Sequence, residues 1–306
     1  MGDAIMGAFN NIAAWRTVDY RRHTMSNNTA QKIPLLLQGI SIQLEIQWIA
    51  PHRKDAPLIV FLHEGLGSLT MWGDWPARLC DAMGCRGLVY SRYGYGYSTA
   101  RPEGPWPNDY LEWEANEALP ALLRALDIDA SADKPILFGH SDGGSIALLY
   151  AAGQPGALSA AVAVAPHLFT ESMALERIAQ MQANYGSSNL RKALLPFHRN
   201  PDLVFRGWSG RWLAPEFRAW NIAARLADIS CPLLAVQGRQ DQYGTLEQIH
   251  EIIRRVPHAE SLILEDCRHI PHQEQAEPLS RGIADFLSRR LPGFSRKPPP
   301  RGPGDH

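Results

Sequence analysis

From Leu35 to Ile49 (LLLQGISIQLEIQWI) apolar and polar residues alternate about Gly39, the period-two pattern of an antiparallel hairpin. Beyond it the pattern changes to short, continuous apolar runs: LIVFLH at Leu58–His63, GLVYS at Gly87–Ser91, PILFGH at Pro135–His140 and AAVAVA at Ala160–Ala165. Two more follow, PLLAVQ at Pro232–Gln237 and SLILE at Ser261–Glu265. Runs that are apolar throughout predict strands covered on both faces, as in a parallel sheet between helical layers. Helical stretches separate them, at about Leu69–Met83, Pro107–Leu126, Gly143–Ala152, Leu246–Val256 and Gln273–Arg290. This alternation predicts an α/β fold with a mostly parallel central sheet flanked by helices.

One connection is far too long. About 60 residues, His167 to Asp228, lie between two predicted strands where a helical crossover needs only ~10–12. They include Tyr185, Phe197, Phe205, Trp208, Trp212, Phe217 and Trp220, which suggests a helical lid; extra core helices with no ligand role are the alternative. The expected organisation is a loose N-terminal arm (1–33), a core formed by 34–166 and 229–290, a lid (167–228) inserted before the last two strands, and a disordered Pro-rich tail (291–306).

Composition narrows the partners. The 306 residues are 45% hydrophobic and 20% charged, with a formal net charge of −1, whereas a nucleic-acid binder carries a basic excess. A chain this long buries roughly 75% of its unfolded surface and needs no disulfide or metal staple. Its four cysteines, Cys80, Cys85, Cys231 and Cys267, form no C-x-x-C pair and read as core residues. The opening MGDAIMGAFNNIAAW lacks a basic, then apolar, leader, and no window approaches the ~18 apolar residues of a membrane span. The expectation is a soluble, cytoplasmic protein with no membrane or nucleic-acid partner; homo-oligomerisation is left open.

Gly139-His140-Ser141-Asp142-Gly143 ends a predicted strand and starts a predicted helix, matching G-x-S-x-G. Small residues there permit a strained turn that raises the serine hydroxyl above the sheet, with the helix N-terminus favouring a developing oxyanion. Serine needs a base, and the base needs a carboxylate to orient it. Asp241 follows Ser141 by 100 residues and His269 follows Asp241 by 28, each just beyond a later strand. The rivals are Asp266, at the strand end just before the histidine loop, and His272, which Pro271 directs along a helix. The loop His63-Glu64-Gly65-Leu66-Gly67-Ser68 is the expected second oxyanion wall, making the backbone amides of Gly65 and Asp142 the candidate donors. His63, His140, Trp208 and Trp212 are candidate substrate contacts.

These motifs resemble the α/β-hydrolase superfamily, in the lid-bearing branch of serine esterases, enol-lactonases and carbon–carbon bond hydrolases. The likeness covers about 34–290. The run His269-Ile270-Pro271-His272-Gln273-Glu274 is similar to the family's final histidine loop, and Arg92-Tyr93-Gly94-Tyr95-Gly96-Tyr97-Ser98 to the loop after its fourth strand. Glu64 and Arg268 depart from the family, standing where glycine is usual. The resemblance implies Ser141 as nucleophile, Asp241 as orienting acid and His269 as base, with no cofactor or metal. The expected reaction is hydrolysis of a small ester or lactone through an acyl-enzyme. The alternatives are carbon–carbon cleavage of a vinylogous diketone acid, whose carboxylate would want Arg92, Arg239 or Arg268, and a ligand-binding receptor of this fold.

Overall fold

The computed structural model describes residues 30–128, 133–291 and 294. Eight strands form one sheet in the order β1-β2-β4-β3-β5-β6-β7-β8. β1 (Gln31–Leu37) and β2 (Ile40–Ile49) make the hairpin, and β2 pairs antiparallel with β4 (Arg86–Ser91). β3 (Leu58–Leu62), β4, β5 (Ile136–His140), β6 (Ala160–Val164), β7 (Leu233–Gly238) and β8 (Glu260–Leu264) are all parallel. The parallel strands β3 and β5–β7 are buried along their whole length, which is why their sequences show no alternation.

β1 starts at Gln31, inside the stretch expected to be a loose arm. Its first residues are largely exposed and are held by pairing with β2 (Gln31↔Ile46), an interaction that leaves no apolar period to read. The rest of that arm, and most of the expected Pro-rich tail, lie outside the described residues. Within the tail, Leu291 packs on the core and Phe294 is buried in it, so packing extends past the expected boundary.

One face of the sheet is covered by α1 (Trp75–Met83) and, late in the chain, by α10 (Ala276–Arg290). The other face carries α2 (Tyr110–Trp113), α3 (Leu119–Ala125), the buried α4 (Asp142–Gly153) and α8 (Glu247–Arg255). A π-helical turn, Glu114–Ala118, joins α2 to α3, and Leu69–Trp72 is a separate 3₁₀ turn ending at Gly73, so two expected helices are shorter than the apolar pattern implied. Between β6 and β7 lie α5 (Ser172–Ala183), α6 (Leu190–Leu194), α7 (Pro201–Trp212) and two 3₁₀ turns. Tyr185 stacks on Phe205 at 4.0 Å in their own apolar cluster with Leu190, Leu194 and Phe197. All four cysteines are free and buried. A short α9 (Pro271–Glu274) follows β8, and among the described residues no helix is long and apolar enough to cross a membrane.

Candidate active site

Ser141 occupies the turn between β5 and α4 with φ 54° and ψ −118°, a conformation unfavourable for a side-chain-bearing residue. Its amide donates to Val164 O at 2.8 Å, which fixes the turn to the neighbouring strand. The Ser141 hydroxyl lies 3.0 Å from His269 Nε2. On the other side of the ring, His269 Nδ1–H donates to Asp241 Oδ2 and Oδ1 at 2.8 and 2.9 Å. Three segments far apart in sequence thus meet in one hydrogen-bonded chain at the carboxyl ends of β5, β7 and β8.

Asp241 is itself held. Its carboxylate accepts from the Tyr243 amide at 2.8 Å and from Gln237 Nε2 at 3.0 Å. Burial would raise its pKa, but the charge and hydrogen bond of His269 and the Tyr243 amide outweigh that and lower it. Burial likewise works against a proton on His269, yet Asp241 raises its pKa above the ordinary histidine value. The imidazole is therefore a stronger base than a free one, held in the tautomer that leaves Nε2 open to the serine hydroxyl.

The histidine loop has a support that the sequence reading missed. Glu274, in α9, accepts from the Arg268 amide at 2.9 Å and the Ile270 amide at 3.1 Å, bracketing His269 from both sides. Its signal was its position five residues after the histidine. The two rival residues lie elsewhere. His272 is buried against the rings of Trp72 and Trp75, at 4.8 and 5.7 Å, where burial lowers its pKa to about 3. Asp266 lies in the turn after β8, and the carboxylate that meets His269 is that of Asp241.

The expected oxyanion donors are Gly65, in the loop after β3, and Asp142, next to the serine. Asp142 is the first residue of α4, so its amide has no carbonyl one turn behind it in the helix. The Trp208 indole covers Gly65, and the Asp142 side chain turns inward. Its carboxylate accepts from Tyr110 O–H at 2.7 Å, and Tyr110 in turn accepts from Trp212 Nε1 at 3.0 Å. Burial raises the pKa of this carboxyl group against the opposing charge of Arg92, 3.6 Å away. Trp212, 2% exposed, also packs on His167, Phe217 and Trp220. His167 and Tyr243, neither singled out in sequence, lie against the His269 ring at 5.9 and 4.7 Å.

His63 and His140 are both 0% exposed. His63 Nδ1–H donates to Glu64 O at 2.8 Å, while its Nε2 accepts from the Arg92 amide at 3.1 Å. A buried ring with a donor and an acceptor already satisfied stays neutral, and burial lowers its pKa well below the ordinary value. The arginines expected to suit a substrate carboxylate each have a partner within the protein. Arg92 is fully buried, with Nη2 bonded to Glu64 O at 2.9 Å; Arg239 pairs with Glu265 at 2.7 Å and Arg268 with Glu274 at 3.4 Å. Among the described residues, no three His, Cys, Asp or Glu side chains are grouped to hold a metal ion.

Residues 59–281 match the model of the alpha/beta hydrolase family. Over 260 residues the chain is 25% identical to the 2-hydroxy-6-oxononadienedioate/2-hydroxy-6-oxononatrienedioate hydrolase of Cupriavidus pinatubonensis (strain JMP 134 / LMG 1197), covering 76% of this chain and 87% of that one. A second hydrolase of that name, from Pseudomonas putida, is 31% identical over only 67 residues, 22% of this chain and 23% of that protein. Among solved structures, the enol-lactonase from Burkholderia xenovorans LB400 superposes with a TM-score of 0.65 at 20% identity, over 83% of this chain and 99% of that chain. At that identity the likeness speaks to the fold.

Proposed function

The chain belongs to the alpha/beta hydrolase family, and from that premise we propose that it hydrolyses a small carboxylic ester or lactone with Ser141 as nucleophile. The observation that carries this reading is the unbroken hydrogen-bonded chain from the Ser141 hydroxyl through His269 to Asp241. The hydroxyl oxygen attacks the acyl carbon while its proton passes to His269 Nε2. The carbonyl oxygen gains the negative charge and is held by the amides of Gly65 and Asp142. His269 then returns the proton to the departing alkoxide oxygen, leaving an acyl group on Ser141. Water, deprotonated by the same ring, attacks the acyl carbon and frees the serine.

A second reading is supported by the curated relatives, whose names describe hydrolases of carboxylate-bearing dienoates. The same residues would serve the cleavage of a carbon–carbon bond in such a substrate. Arg92, Arg239 and Arg268 each already face a carboxylate of the protein, so an anionic substrate would have to compete for them, which supports the ester reading. The test is a panel of aryl acetates and butyrates, small lactones and a vinylogous 1,5-diketone acid, run on wild type and Ser141→Ala. Ester or lactone turnover that Ser141→Ala abolishes supports the proposal. Serine-dependent turnover of the diketone acid with inert esters transfers it to the second reading.

A further inference from the structure

Glu64 replaces a usual glycine in the loop that carries Gly65, and its side chain lies against His140, the residue before Ser141. The carboxylate Oε2 is 3.7 Å from His140 Nδ1. The other ring nitrogen, His140 Nε2, is 2.7 Å from the carbonyl oxygen of His269. A carbonyl can only accept, so Nε2 carries a hydrogen, and Nδ1 is the atom turned to Glu64, where a second hydrogen would meet the carboxylate. Among the described residues Nδ1 has no hydrogen-bond partner, which leaves the Glu64 carboxylate as the polar group it faces. The loop has room for this acid because Gly67 lacks a side chain; a Cβ there would stand 2.5 Å from Glu64 Oε2.

The two residues therefore join three segments. Glu64 precedes Gly65, His140 precedes Ser141, and His140 grips the backbone of His269. We propose that Glu64 and His140 are a positioning pair that fixes His269 against Ser141 and Gly65, and that the Glu64 charge strengthens His269 as a base. The inference rests on the reading of Ser141 as nucleophile.

The charges around the pair agree with this. Burial would raise the Glu64 pKa, but the neighbouring His140 ring reverses that and lowers it to about 2, with His63 and His272 facing the same carboxylate. His269 feels Asp241 first, then Glu64 and Glu274, all raising its pKa. Asp142, His167 and Tyr243 also stand around this corner. His63, His167 and His272 all have lowered pKa values and stay neutral through the working range, so none of these three rings cancels the Glu64 charge.

The experiment uses Glu64→Gln, His140→Gln and His140→Leu in the full chain, measuring kcat and KM against pH on an aryl ester, with melting temperature and the rate of fluorophosphonate labelling alongside. Glu64→Gln keeps size and polarity but removes the charge; it is expected to lower kcat by about 10-fold or more, leave KM within about twofold, and move the acid limb to lower pH. His140→Gln, which still offers an N–H, is expected to retain more activity than His140→Leu. The double variant Glu64→Gln/His140→Gln is expected to lose less than the two single losses combined. An unmoved acid limb in Glu64→Gln, or equal activity in His140→Gln and His140→Leu, overturns the proposal. Wild type that is not labelled at Ser141 overturns the underlying reading instead, and the two failures are separate observations.

Discussion

Replacing Gly65 with alanine tests the oxyanion wall and its cover together. A Cβ on Gly65 would lie 2.1 Å from Trp208 Nε1, 2.6 Å from Cε2 and 2.9 Å from Cδ1. Ordinary contact needs roughly 3.4 Å, so either the indole or the loop must retreat by about 1.3 Å. The backbone of Gly65 is not in the left-handed region, so alanine meets no conformational strain of its own and the collision with Trp208 is the whole effect. Overpacking of this kind costs ~1–3 kcal/mol of stability. If the loop moves, the Gly65 amide leaves the position it would share with the oxyanion, and such a loss is worth ~10²–10³ in rate. The assay is kcat on a short aryl ester, with melting temperature, for Gly65→Ala, Trp208→Ala and the double variant. The expected result is a large kcat loss in Gly65→Ala that is mostly recovered in the double variant, because removing the indole removes the clash. Wild-type kcat in Gly65→Ala, or a loss undiminished in the Trp208→Ala background, would refute this reasoning.

The remaining predictions concern base, lid and pH. His269→Ala should lower kcat by several orders of magnitude, whereas His272→Ala, acting through packing against Trp72, Trp75 and His140, should cost far less; the reverse order contradicts the assignment. Because the His269 pKa is raised, the acid limb of kcat/KM should lie above the ordinary histidine value of ~6.5, and Asp241→Asn should move it down while cutting kcat by ~10⁴, as kinetics across pH 5–9 would record. Trp212→Ala, at a buried position, should cost ~3–5 kcal/mol in denaturant unfolding and leave the ranking of short-chain and aryl esters unchanged, while Trp208→Ala should alter that ranking. His198 donates through Nε2 to Leu66 O at 2.9 Å and accepts the Gly96 amide at 2.9 Å; burial lowers its pKa to about 4. Between pH 6.5 and 4 the unfolded chain binds a proton that this ring refuses, so stability should fall as pH drops through that window. Replacing His198 with Asn should flatten the slope in thermal melts taken across it.

How much of this was legible depends on whether an interaction is local. The strand runs were readable because burial on both faces leaves a continuous apolar signature, and Ser141, Asp241 and His269 were found because each directly follows such a strand. The short motif supplies the strained turn, and strand ends bring distant loops together at one edge of a parallel sheet. Committed charges were not readable. Arg92 looked like a free cation in the loop after β4, yet it is buried against Asp142 and the Glu64 carbonyl, partners about 50 and 30 residues away. His63 and His140 looked like substrate contacts for the same reason, because sequence shows neither burial nor the acceptors that occupy a ring. Trp208 and Trp212, four residues apart on α7, could not be separated by composition; only the path of the helix puts one over Gly65 and the other in the core. β1 starts four residues before its pattern because backbone pairing holds polar residues as well as apolar ones.

The central claim is that Ser141 carries the acyl group, and intact-protein and peptide mass spectrometry tests it most directly. Wild type and Ser141→Ala are each treated with a fluorophosphonate, and separately quenched with acid during turnover of an aryl ester. The account predicts one phosphonyl adduct and one acyl adduct on wild type, both on the peptide containing Ser141, and neither on Ser141→Ala at an unchanged melting temperature. An adduct at another residue, or one that persists in Ser141→Ala, would contradict it.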